Sequence, residues 1–140
     1  MLARILHRVD PFVLRVSGGR VSLPSLLVGL PVVMVTMTGA KSGRRITLPL
    51  AVIPFGDDLA VVASNFGNVR HPAWYHNMRA HPRVECTDDG RTTICIVREV
   101  AGDEYAKIWN TAVEFYVGYA AYKKRAGSRH IPILVLTPQP

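Results

Sequence analysis

The sequence predicts a β-barrel with peripheral helices, an α+β domain of six mostly antiparallel strands. Three observations lead there. Short apolar, β-branched runs recur along the chain and are joined mostly by tight turns. Helical patterns interrupt them at about 71–80 and 103–126. The chain has 140 residues and is 49% hydrophobic, which suits one domain, 1–140, with its own core. An antiparallel sheet of this size removes its exposed edges by closing on itself.

The elements follow in chain order. Leu2, Ile5, Leu6, Val9, Phe12, Val13 and Val16 recur at helical spacing, with Arg4, Arg8 and Arg15 between them. Residues 1–20 therefore read as an amphipathic basic segment, broken at Pro11 and ended by Gly18-Gly19. It either covers one end of the barrel or lies on an anionic lipid surface. No signal peptide is expected, because 1–16 lack a continuous apolar core and a small-residue cleavage site. The apolar stretch 23–37 is broken by Pro24, Gly29 and Pro31, and no spanning helix is expected.

Residues 32–37 form the first predicted strand, and 45–53 return after the turn Thr38-Gly39-Ala40-Lys41-Ser42-Gly43. A third strand covers 59–63 after Gly56-Asp57-Asp58. His71-Pro72 opens a short helix to about Ala80, with Pro72 in the tolerated first turn. Residues 83–87 and 91–100 form a hairpin around Asp88-Asp89-Gly90. A helix over 103–115 takes Asp103 as its N-cap, a second piece runs over 118–126, and 131–137 is the last strand.

Charge narrows the partners. The formal net charge is +7, and part of it gathers at one turn in Lys41, Arg44 and Arg45, with Arg70 in a later loop. An anionic small molecule, a membrane surface or nucleic acid would each suit this excess. No nucleic-acid-binding motif is present, so nucleic acid is not expected as a partner. Cys86 and Cys95 flank a predicted turn and read as reduced, buried thiols of a cytoplasmic protein, with a hairpin disulfide as the alternative in an oxidising compartment. His71, His76 and His81 are spaced by five, which does not stack them on one helical face, and no metal is expected. There is no Walker A loop, no GxGxxG and no nucleophile elbow.

Three segments can carry chemistry. The turn 38–45 has two glycines that allow successive amides to face an oxyanion, with Lys41, Ser42 and Arg45 adding charge and a hydroxyl. Taken by itself it also reads as an ordinary basic hairpin turn. The segment 63–77 leads a polar glycine-bearing loop into a helix start, where Ser64 and Asn65 can bond the edge of a flat ring and Trp74 and Tyr75 can wall it. For a single tryptophan such as Trp74, plain core packing is the commoner case. Tyr116, Tyr119 and Tyr122 recur at spacing three and can line a substrate pocket or simply keep wet hydroxyl ends.

In this order the motifs resemble one family. A Thr-Gly-x-Lys-Ser-Gly turn at 38–43 precedes Pro49-Leu50, then Val62-Ala63-Ser64, then Pro72-x-Trp74-Tyr75-x-Asn77. A Tyr-x-x-Tyr-x-x-Tyr run at 116–122 and Ile131-Pro132 complete it. The chain resembles the actinobacterial deazaflavin-dependent nitroreductases, also described as quinone reductases dependent on coenzyme F-420. The resemblance implies a split β-barrel like that of flavin-binding oxidases. It implies that Lys41, Ser42, Gly43 and Arg45 hold the phosphate and acidic tail of the coenzyme. Ser64, Asn65, Trp74, Tyr75 and Asn77 would frame the deazaflavin ring, with Pro49, Arg70 and Ala73 adding contacts. Tyr116, Tyr119 and Tyr122 would face the substrate, and Ser64 would join them at the reacting centre.

The chain departs from the family pattern at Asn65-Phe66-Gly67, where many members have Lys-Gly-Gly, at Ala51, where some have tyrosine, and at Val117, where proline is frequent. The implied activity is hydride transfer from reduced coenzyme to a quinone, enone or nitro compound. Three alternatives stay open: a coenzyme carrier, a fatty-acyl-binding protein at the inner membrane surface, and a barrel that binds flavin mononucleotide. Either a monomer or a homodimer suits these readings.

Overall fold

A computed structural model describes residues 31–67 and 70–140. The expected N-terminal amphipathic segment and most of the apolar stretch after it lie outside the described residues.

The strands are β1 (Val32–Thr38), β2 (Arg45–Ala51), β3 (Ile53–Phe55), β4 (Asp58–Val62), β5 (Arg83–Asp88), β6 (Arg91–Glu99) and β7 (Ile133–Pro138). All pair antiparallel in one sheet, in the order β2-β1-β5-β6-β7-β4-β3. β2 and β3 are the two edges of this sheet, yet only Val52 separates them in the chain. The sheet must curl until its edges meet there. The fully buried Val52 side chain and its amide bond to the Pro31 carbonyl (2.9 Å) hold that corner.

This corner corrects the strand count. The sequence suggests one returning strand over 45–53 and six strands in all. The run breaks at Val52, because Ile53 onward pairs with β4 and no longer with β1. Seven strands result among the described residues.

Among the described residues three helices flank the sheet: α1 (Ala73–Ala80), α2 (Gly102–Phe115) and α3 (Gly118–Ala126). The helix cap at α2 also differs from expectation. Ala101 is the N-cap, in extended conformation, and Asp103 lies inside the first turn. There its charge still favours the positive end of the helix. The last strand starts at Ile133; Ile131 is buried just before it, and the Pro132 carbonyl accepts a bond from the Ala63 amide (2.9 Å).

Burial explains the apolar runs. In β7, Leu134 and Leu136 enter one core cluster, while Ile133 and Val135 enter the other. β4 does the same, with Val61 on one side and Ala60 and Val62 on the other. Side chains alternate across a strand, so a strand buried on both faces must be apolar throughout. The first cluster joins β1, β2, β4 to β7 and, through Tyr75 and Met78, α1. The second lies under α2 and α3, with Ile108, Ala112, Tyr119 and Ala126.

The β5–β6 hairpin turns on Asp89 and Gly90, both at positive φ (55° and 76°), as a two-residue hairpin of this hand requires. Its register sets Cys86 opposite Thr93 and Cys95 opposite Val84, and both thiols are free and buried. Among the described residues no helix is long and apolar enough to cross a membrane.

Leu134 is fully buried where the sheet is covered on both sides. Leu134→Ala is expected to cost about 2–5 kcal/mol in unfolding free energy, read by denaturant titration. A loss under about 1 kcal/mol would contradict a close-packed barrel interior.

Candidate functional site

The basic turn joins β1 to β2. Its own bonds shape it: the Gly39 amide donates to the Arg44 carbonyl (2.8 Å) and the Gly43 amide to the Gly39 carbonyl (3.0 Å). The Arg44 amide donates to Ser42 Oγ (3.2 Å), and the Ala40 amide to Asn77 Oδ1 on α1 (2.9 Å). Four amides of the turn are thereby already bonded, three within the turn and that of Ala40 to α1. Those of Lys41 and Ser42 have no partner among the described residues, and the Lys41, Ser42 and Arg44 side chains are exposed. Arg45 differs, because Glu85 pairs with it across the strands (2.8 Å). Both partners reach solvent, so this pair contributes little to stability and offsets part of the local charge. Asn77, expected to frame a ring, tethers the turn, with a further contact from its amide to Met37 Sδ (3.8 Å).

The second segment leaves β4 at Ala63. Ser64 is buried, and its carbonyl accepts the Gly67 amide (2.8 Å) in a single tight helical turn over Asn65–Gly67. Asn65 takes positive φ (46°), and its Nδ2 donates to the Arg70 carbonyl (2.9 Å). Gly67 also has positive φ (78°), and a Cβ there would stand 2.6 Å from the Tyr122 carbonyl and 2.7 Å from Arg125 Cβ. Only glycine lets this loop rest on α3.

Arg129, between α3 and β7, grips the same loop. Its NH1 donates to the Ala63 carbonyl (3.2 Å) and to His71 Nδ1 (2.7 Å), and its NH2 to the Ser64 carbonyl. Burial, then the charge of Arg129, hold the His71 pKa below its ordinary value.

Farther along, α1 begins after Pro72 with Ala73 exposed and Trp74 half-buried against the barrel core. The Tyr75 ring lies 4.8 Å from the His71 ring. Its buried hydroxyl bonds Glu99 (2.8 Å) and receives a bond from Arg79 (2.7 Å), while Arg79 also pairs with Glu99 (2.8 Å). Burial, then the Glu99 bond, push the Tyr75 phenol up. Arg70 is exposed, and Pro49 is half-buried in β2 opposite Met34.

The three tyrosines do not share one helix. Tyr116 caps α2 in extended conformation (φ −150°), and α3 starts two residues later. A Cβ on Gly118 would fall within 2.1 Å of the Tyr116 ring, so glycine lets the ring fold back over the chain. The Tyr116 and Tyr122 hydroxyls share a 2.8 Å hydrogen bond and are half-buried. Tyr119 is only 6% exposed and packs edge-on against both rings, at 5.3 and 6.2 Å. Burial raises the Tyr119 phenol strongly. Burial, then the bond to Tyr116, push Tyr122 up to about 12.

The model of the "F420H(2)-dependent quinone reductase" family matches residues 7–138, nearly the whole chain. The chain belongs to this family. As such it is an oxidoreductase that depends on coenzyme F-420, and of the readings left open by the sequence this is the one selected. A quinone reductase of this kind from Mycobacterium tuberculosis is 32% identical over 137 residues, covering 94% of this chain and 89% of the relative.

Among solved structures, an F420-H2 dependent reductase matches with TM-score 0.68 and 37% identity, over 76% of this chain and 93% of that one. A heme storage protein from Vibrio cholerae shares the fold alone, with TM-score 0.58 and 11% identity over 95% of this chain and 92% of that one. The family member thus has the expected split barrel, here a curled antiparallel sheet with flanking helices.

Arg129, His71 and Gly67 were not legible as site residues. Arg129 sits in a Gly-Ser-Arg-His stretch that reads as a solubilising loop. Only the backbone path around Ala63 and Ser64 makes it a clamp. Gly67 carried a weak signal as a glycine in a polar loop.

The raised Tyr122 phenol carries a stability consequence. Its unfolded value is near 10.0 and its folded value about 12, so its contribution is complete below the first and lost as pH rises through the second. Ultraviolet titration of the folded protein is expected to show several late phenolate steps, and Tyr122→Phe is expected to remove one equivalent from this window. An unchanged count of late equivalents in the variant would contradict the raised Tyr122 phenol.

Proposed function

We propose that this reductase holds the anionic part of coenzyme F-420 at the Lys41–Arg44 turn, seats the ring near Ser64 and Trp74, and uses Tyr122 to serve a quinone carbonyl. The donor set fits such a group. Exposed Lys41 and Arg44, the Ser42 hydroxyl and the two unused amides suit phosphate and carboxylate oxygens. Half-buried Trp74 and buried Ser64 suit a flat polar-edged ring.

One observation carries the reading: an unbroken series of contacts links the basic turn to the tyrosine pair. It runs from Ala40 to Asn77 on α1, from Tyr75 on the same helix to His71, and from His71 through Arg129 to Ser64. From there Gly67 abuts Tyr122, which bonds Tyr116. Groups expected to touch the two ends of one coenzyme–substrate pair are held by a common scaffold.

When bound, the reduced coenzyme supplies a hydride to an electron-poor acceptor. The chain's own residues bind and orient, and they manage the proton. The high pKa of Tyr122 keeps its phenol protonated near neutral pH, so it donates a hydrogen bond to a carbonyl oxygen gaining negative charge. Tyr116, at 2.8 Å, orients the Tyr122 hydroxyl, and their bond helps Tyr122 hold its proton while it donates to that oxygen. Buried Tyr119 braces both rings.

The assembly reading is a homodimer. It is supported by a relative whose structure is a domain-swapped dimer, 32% identical with TM-score 0.68 over 87% of this chain and 98% of that one. Sedimentation velocity of the full chain is expected to show twice the monomer mass; a monomer at all concentrations would reject it.

Two variants separate the ends of the site. Lys41→Ala is expected to raise the Kd for coenzyme F-420 by on the order of 10-fold, through loss of a charge-assisted contact. Tyr122→Phe is expected to leave that Kd nearly unchanged and to lower quinone turnover on the order of 100-fold. Tryptophan fluorescence titration and steady-state quinone reduction measure the two. Full turnover in Tyr122→Phe would remove the phenol from the reaction, and an unchanged Kd in Lys41→Ala would move the anion site away from the turn.

A further inference from the structure

Arg129 is given no role toward coenzyme or substrate above, yet it ties down the Ser64 loop at several points. One guanidinium ties three points. The Ala63 and Ser64 carbonyls lie where the chain leaves β4, and His71 Nδ1 lies where it enters α1. Between them stand Ser64, Asn65 and Gly67, whose local bonds to Ser64 O and Arg70 O complete a closed loop. Gly67 rests on α3, so the clamp also sets the loop against the tyrosine helix.

The chemistry of the clamp is one-sided. A guanidinium carries five donors, no acceptor and a permanent charge. His71 Nδ1 must therefore accept, which places the proton of a neutral imidazole on Nε2. A protonated His71 would turn a donor toward a donor and add a second positive charge at 2.7 Å. The groups facing His71 are Arg129, His76, His130, Glu99 and the Tyr75 ring. Of the charged ones only Glu99 favours the cation, and burial and Arg129 outweigh it.

We propose that Arg129 is the positioning residue of the coenzyme loop and that neutral His71 is its condition, so that protonation of His71 releases the loop and weakens coenzyme binding. This rests on the assignment of Ser64 and its neighbours to the coenzyme. The sign is set by the lowered His71 value: the contribution is present above 6.5, the ordinary value, and lost as pH falls through the folded value beneath it.

The test begins without coenzyme. Hydrogen exchange at the Gly67 amide, corrected for its intrinsic rate, reports the loop directly. Wild-type protection is expected to fall about 10-fold or more from about pH 8 to about pH 5. In His71→Asn, Oδ1 replaces the Nδ1 acceptor and does not titrate, so protection is expected to stay high and flat. In Arg129→Ala protection is expected to be low throughout, with partial recovery on adding guanidinium ion. Should Arg129→Ala fail to fold, His71→Asn alone decides. Wild-type protection in Arg129→Ala, or a retained pH dependence in His71→Asn, would overturn the clamp.

Fluorescence titration with coenzyme F-420 then asks what the clamp serves. Affinity is expected to follow protection with pH in the wild type and to lose that dependence in His71→Asn. Affinity that stays flat while protection falls would overturn the link to the coenzyme. Absence of coenzyme binding by the wild type at any pH would instead sink the assignment of the site, with the exchange result still deciding the clamp.

Discussion

The structure depends on one topological constraint: the two edges of its sheet are neighbours in the chain. β2 and β3 lie at opposite ends of the strand order and are separated by Val52 alone. No flat arrangement satisfies that. The sheet has to curl, and a curled antiparallel sheet covers its unpaired edges. The interior that results is filled from every strand except β3, including Val35, Met37, Leu134 and Leu136.

Curling leaves an outer face that also needs covering. Strands β3, β4 and β7 present Ile53, Ala60, Val62, Ile133 and Val135 outward, and α2 and α3 lie over them. The helix pair therefore has a fixed seat, and with it the Tyr116–Tyr122 pair and the buried Tyr119 between the helices and the sheet. α1 takes a different seat against the first cluster through Tyr75 and Met78, which fixes Asn77 and so the basic turn. The polar groups of the site stay in place because each grows from an element whose apolar face is already committed.

The energies at work differ in kind. Ion pairs such as Arg45–Glu85 and Arg98–Glu104 lie near the surface and contribute little individually. Burial of apolar area supplies the bulk of stability. The partly buried network around Tyr75, Glu99 and Arg79, and that around Arg129 and His71, give direction more than stability. Their hydrogen bonds decide where a loop carbonyl or a phenol points, which apolar packing does not specify.

Much was legible in the sequence alone, for physical reasons. Period-two and continuous apolar runs located the strands, and Asp89-Gly90 located a hairpin through its need for positive φ. The ordered motifs from the Lys41 turn to Tyr122 pointed to a deazaflavin reductase, and the family match agrees. Pattern alone could not reveal the break at Val52, because a strand that changes partners keeps the same alternation. Nor could it show that Tyr116 leaves the helix, that Tyr119 is interior, or that Asn77 and Arg129 serve as tethers. Those facts depend on groups distant in sequence, such as Ala40 for Asn77 and Ser64 for Arg129. The sequence determined which residue types were on hand and how they alternate. Only closure of the sheet decided which of them meet, since hydrogen bonds act over a few ångströms of space and not along the chain.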